Sequence, residues 1–137
     1  MYLLRISLFI FATALSISAA AQMPPVPLQN HERVAVSVSD KTKLSPEAVK
    51  KAIAVAGASK GWRVVQESPG SIRLSINVRR HSATIDIGYS LDAYSIKYVS
   101  SENLDYAARD AVETIHPNYN RWLRFLIQTI TAELLRI

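Results

Sequence analysis

The chain has no cysteine. That excludes disulfides, thiolate metal sites and a thiol nucleophile, so the fold must hold by packing alone. A lipoprotein anchor needs a cysteine at its cleavage point, so no lipid anchor is expected. Histidine is sparse too. His31, His81 and His116 lie far apart, and none has a ligand partner three or four residues away; no metal is expected. There is no phosphate loop, no Gly-x-Gly-x-x-Gly fingerprint and no Gly-x-Ser-x-Gly elbow, so no cofactor is expected. Apolar runs are short. Leu3–Ala21 is the longest and is broken by Arg5, whereas a spanning helix needs about 20 apolar residues. No membrane span is expected in the mature form.

What is present begins with an export pattern. Met1–Arg5 carries one positive charge, Ile6–Ile17 is mostly apolar, and Ser18-Ala19-Ala20-Ala21 supplies the small residues of an A-x-A cleavage site. Residues 1–21 read as a cleavable signal peptide cut after about Ala21, with the bacterial periplasm as the compartment. Gln22-Met23-Pro24-Pro25-Val26-Pro27 follows, holding three of the six prolines. Residues 22–31 read as a flexible or semi-extended Pro-rich leader outside the core. Residues 32–137 are then one domain. Arg5 leaves with the signal, so 15 basic residues face 11 acidic ones, a net +4. The basic residues cluster only in pairs, Lys50-Lys51 and Arg79-Arg80. With export, this argues against a nucleic-acid partner.

The mature part alternates clearly. Val34, Val36 and Val38 mark a strand over Arg33–Ser39. Ser45-Pro46-Glu47 opens a helix as cap, first helical residue and dipole complement. Val49, Ala52, Ile53 and Ala56 form its buried stripe, Gly57 is a weak point and Gly61 ends it. A strand over Trp62–Glu67, a Pro69-Gly70 turn and the alternating Ile72, Leu74, Ile76 and Val78 come next. Arg80-His81-Ser82 is read as the reversal into Ala83, Ile85, Ile87 and Tyr89. Leu91-Asp92-Ala93 leads into Tyr94–Ser100. Ser101–Ile115 has no clean period, and Ala107–Thr114 is open to a helical turn or two. Pro117 opens the strongest amphipathic helix. The order β-α-β-β-β-β-α implies an α+β fold, an antiparallel sheet of four to five strands with two helices on one face.

Chemistry concentrates in the closing stretch. Tyr94, Ile96 and Tyr98 alternate, then come Ser101, Asn103, Leu104 and Tyr106, and Ile115, His116, Tyr119, Asn120 and Trp122 open the last helix. With Gly61-Trp62 and the Pro69-Gly70 turn, this pattern resembles a widespread family of small bacterial exported proteins and lipoproteins, over roughly residues 33–135. The resemblance implies an envelope location and no particular activity. The absent cysteine departs from its lipid-anchored members.

One reading of the motif is a clasp: His116 caps the helix, Asn118 and Asn120 satisfy loop carbonyls, and Tyr119 and Trp122 bury their rings. A second is a ligand pocket lined by Tyr98, Ser101, Asn103, Tyr106, His116, Asn120 and Trp122. A third is a small hydrolase centred on His116, with Ser100 or Ser101 and Asp105 or Asp110. The alternation also predicts an open sheet face carrying Arg33, Ser37, Arg63, Arg73, Ser75, Asn77, Arg79, Thr84, Asp86, Ser95 and Lys97. Its cations, above all Arg63, Arg73, Arg79 and Lys97, suit an acidic protein or anionic glycan. The expectation is a non-catalytic envelope protein binding an unidentified envelope protein, glycan or small ligand.

Overall fold

The computed structural model describes residues 22–137; the signal-peptide reading lies outside them. Strands β1 (Val26–Pro27) and β2 (His31–Ala35) lead into helix α1 (Pro46–Ser59). Strands β3 (Trp62–Ser68), β4 (Ser71–Val78), β5 (His81–Tyr89) and β6 (Ala93–Glu102) form a meander. A short hairpin, β7 (Ala107–Arg109) and β8 (Val112–Ile115), precedes α2 (Pro117–Leu134). The main sheet is antiparallel, in the order β2-β6-β5-β4-β3, and a small sheet runs β1-β8-β7. The fold is α+β, with two helices and a five-stranded antiparallel sheet.

The alternation explains the layers. Ile72, Leu74 and Ile76 of β4, Ala83, Ile85 and Ile87 of β5, and Tyr94 and Ile96 of β6 are all buried in one core. Val49, Ile53 and Ala56 of α1 and Leu123, Leu126 and Ile130 of α2 belong to the same cluster. The Ser45 hydroxyl accepts from the Ala48 N–H at 3.1 Å, with Pro46 as the first helical residue. Gly57 has a positive use: a Cβ there would sit 3.2 Å from Leu74 Cδ1, so glycine lets α1 settle onto the sheet. Gly70, at φ +73°, takes the left-handed position of the Pro69-Gly70 turn. Among the described residues, no helix is long and apolar enough to cross a membrane.

Four expectations need correction. The leader is extended but not free of the domain. Val26 and Pro27 pair with Ile115 and Thr114, the Leu28 N–H donates to the Glu113 carbonyl, and Leu28 packs against the core. Ala107–Thr114 is a hairpin, not a helical turn. Its turn residues Asp110 and Ala111 have φ of 49° and 64°, the sign a tight two-residue hairpin of the primed type requires. The first main-sheet strand ends at Ala35, so Ser37 lies beyond it, although Val36 and Val38 still pack on the core. Finally, Val78 pairs with His81, so Arg79 and Arg80 are the turn and His81 begins a strand. Arg79, at φ 57°, is therefore a turn residue and not part of the open face.

Candidate functional site

The segment after β6 alternates in an unusual way. Asn103 and Asp105 have φ of 56° and 52°, left-handed values that the short polar side chains of Asn and Asp tolerate best. Between them Leu104 is buried, 1% exposed. Its carbonyl accepts the His116 N–H at 2.7 Å. Leu104 thus plugs the core while Asn103 and Asp105 stay at the surface, at the entrance to α2.

The turn between β4 and β5 meets this loop. The Asn103 side-chain amide donates to the Arg80 carbonyl at 2.6 Å, and His81 Nδ1 lies 2.6 Å from the Asn103 carbonyl. A β-bulge makes the meeting possible. The β5–β6 register shifts between Thr84 and Ile85, leaving Val99 as the extra residue and bringing Asn103 level with His81. Gln22, Arg80, His81, Asn103, Asp105 and His116 line the resulting polar cleft of about 310 Å³. The His81 and His116 rings stack with centroids 6.2 Å apart.

The hydrogen bonds settle the tautomers. A carbonyl only accepts, so His81 Nδ1 carries a proton and donates to Asn103. His116 Nδ1 accepts the Asn118 N–H at 3.1 Å and therefore carries none. In the neutral rings, Nε2 of His116 is a donor and Nε2 of His81 an acceptor. Arg80 and Asp105 are exposed, and among the described residues neither is in an ion pair.

The seven residues expected to line one pocket fall into three groups. Asn103 and His116 belong to the cleft. Tyr98, Ser101 and Tyr106 form an aromatic stack: the Tyr98 and Tyr106 rings are 4.5 Å apart, and the Tyr98 hydroxyl bonds Ser101 Oγ at 2.8 Å. Tyr106 donates to Glu113 Oε1 at 2.7 Å, a bond that raises its phenol above the ordinary value. Asn120, 4% exposed, belongs to the leader: its Oδ1 accepts the Gln29 N–H at 3.1 Å and its Nδ2 donates to the Pro27 carbonyl at 2.9 Å. Trp122 packs half-buried on the core. These last two groups act as the clasp.

Among the described residues, His116 and Ser101 are not arranged as a hydrolytic triad. A triad histidine donates Nδ1–H to a carboxylate, whereas His116 Nδ1 accepts a backbone N–H and Ser101 is held by Tyr98. No group of three His, Asp or Glu among the described residues is placed to hold a metal ion.

The open face is less positive than its composition suggests. Arg73 grips Asp86 through two bonds of 2.7 and 2.8 Å. Those bonds hold the Asp86 carboxyl below its ordinary range, against the opposing effect of burial. Lys97 stands opposite Asp86 on the next strand. Arg63 is exposed on the edge strand β3, across from Ser75. Short hydroxyl side chains surround them: Ser75, Thr84 and Ser100 sit in one cross-strand row. Sequence reasoning missed Arg80, His81 and Gln22 as site residues, and offered Asp105 only as a hydrolase carboxylate. Compared with family models, curated proteins and solved structures, the chain matches none.

Proposed function

We propose that this is an exported, non-catalytic binding protein of the bacterial envelope, released after about Ala21, whose binding site is the polar cleft between the β4–β5 turn and the start of α2. The export pattern of residues 1–21 and the resemblance to small exported proteins support the location. One observation carries the binding reading: two imidazoles of fixed tautomer and two unpaired opposite charges, Arg80 and Asp105, line one cleft. Small-ligand sites are concavities with a few convergent polar groups. Two of its lining residues, Asn103 and Asp105, are non-glycine residues in left-handed backbone, as is Arg79 next to Arg80, and such conformations cluster where side chains must be aimed. The hydrolase reading has no such support.

The location is tested by intact-mass measurement of the protein recovered from the envelope fraction. A chain beginning at Gln22 is expected; full-length chain in the cytoplasm overturns export. The site is tested by NMR of the imidazole C–H signals against a library of small polar compounds. Ligands are expected to move His81 and His116. Ligands that move only Lys97 and Arg63 would transfer the function to the open sheet face.

A further inference from the structure

We infer that the cleft selects a small zwitterion, a free α-amino acid or a dipeptide, holding its carboxylate on Arg80 and its ammonium on Asp105. This rests on the reading of the cleft as the binding site. The cleft, at about 310 Å³, is at the small end of ligand sites. It offers one cation and one anion that do not pair with each other within 4 Å. A simple anion would gain Arg80 but stand near the Asp105 carboxylate. A simple cation would gain Asp105 and stand near the Arg80 guanidinium. Only a ligand bearing both signs satisfies both groups.

The imidazoles add direction. Nδ1 of each ring is engaged within the protein, by Asn103 for His81 and by Asn118 for His116. Nε2 is thus the free polar atom of each ring, a donor on His116 and an acceptor on His81. A carboxylate can take the His116 Nε2–H and the Arg80 fork. An ammonium can give protons to Asp105 and to His81 Nε2. The same four groups leave one unmatched partner when either end of the ligand is blocked, and an unmatched charged hydrogen-bonding group is what makes such sites selective.

The experiment compares the dipeptide Ala-Ala with its C-terminal amide and its N-acetyl form, binding to the mature chain purified from the envelope and followed at the His81 and His116 imidazole signals. Ala-Ala should bind, and each blocked form should bind about tenfold or more weakly. Arg80→Gln should bind the acid and the amide alike while still rejecting the N-acetyl form. Asp105→Asn, which keeps a residue tolerant of left-handed backbone, should bind the free amine and the N-acetyl form alike while still rejecting the amide. Equal binding of all three forms to the unmodified protein overturns the inference and leaves the cleft as the binding site. The same holds if both variants keep the original preferences. If no dipeptide moves either imidazole signal while another library compound does, the zwitterion is wrong and the cleft stands. If nothing moves them, both readings fall.

Discussion

The helix-backed sheet and the closing region are held by different forces. In the sheet layer, Ile72, Leu74, Ile85, Ile87 and Ile96 are fully buried against α1 and α2. Burial of this kind is non-directional and large, roughly 25 cal/mol per Å². In the closing region, the leader, the Asn103–Tyr106 loop and the β7–β8 hairpin are tied by short backbone ladders and a few side-chain hydrogen bonds, with Leu28 and Leu104 as their contacts to the core. The first region can lose any one contact and keep its shape. The second assembles the cleft, and there each bond decides where a residue points.

The contrast is sharpest when one deletion is made on each side. Ile85→Ala, at the centre of the middle strand, should cost about 3–4 kcal/mol and lower the unfolding midpoint of the whole domain. Asn120→Ala should cost about 2 kcal/mol, because it removes both side-chain bonds to the leader backbone. Its effect should be local. Hydrogen exchange should accelerate at the Leu28 and Gln29 amides and stay unchanged at Ile85. If Asn120→Ala instead speeds exchange throughout the sheet, leader and sheet are one cooperative unit and the comparison breaks.

Tyrosine ionisation separates the regions by pH. Burial pushes the Tyr94 phenol up to about 12, against the smaller opposing effect of the Thr131 side chain. Tyr119 is raised by burial as well. The unfolded chain releases these protons near pH 10 and the folded chain later, so the unfolded state binds fewer protons in between. Stability is therefore full below pH 10 and falls as pH rises toward 12, by up to about 2 kcal/mol for Tyr94. Tyr94→Phe should flatten that alkaline loss and leave neutral-pH stability equal or better. Tyr106→Phe, exposed in the closing region and raised mainly by its bond to Glu113, should flatten the alkaline slope less than Tyr94→Phe, as denaturant titrations from pH 9 to 12 would show.

His116 tests the boundary between holding and binding. His116→Ala removes the cap on the Asn118 N–H and should cost about 1 kcal/mol. Asparagine is among the best caps, so His116→Asn should restore that stability. It should not restore ligand binding, because the ring that faces His81 is gone. Recovery of both by His116→Asn would make the residue a cap only.

These differences track what was legible in the residues. Period-2 alternation announces β4, β5 and β6, Ser45-Pro46 marks the start of α1 and Pro69-Gly70 the turn into β4, because burial and turn chemistry leave local patterns. The leader strand is two residues long, and its partners Ile115 and Thr114, with Asn120 bonding the Pro27 carbonyl, lie far along the chain; nothing local records that pairing. Asn103, Asp105 and His116 were visible in a polar stretch, but Arg80 and His81 join them only through strand register. That register cannot be counted back from the β5–β6 turn, because the bulge at Val99 shifts it by one residue. Charge counting misjudged the open face for a similar reason: Arg73 and Asp86 cancel only once their strands are aligned.

The hairpin shows why one element left no trace and how small an energy hides it. Asp110 and Ala111 both take positive φ, which usually calls for an Asn-Gly or Asp-Gly pair. With alanine in the second position, the local propensity favours a helical turn over the geometry found. Three short pairs, Ala107 with Thr114, Ala108 with Glu113 and Arg109 with Val112, plus β1 on the far side of β8, overrule it. Left-handed backbone costs an alanine about 1 kcal/mol, and glycine's extra freedom in the unfolded chain returns part of that. Ala111→Gly should therefore stabilise the domain by only about 0.5 kcal/mol, with slower exchange confined to the β7–β8 amides. A loss of stability in Ala111→Gly would mean that the methyl group makes a contact worth more than the strain it creates, and the closing region would then be held by burial after all.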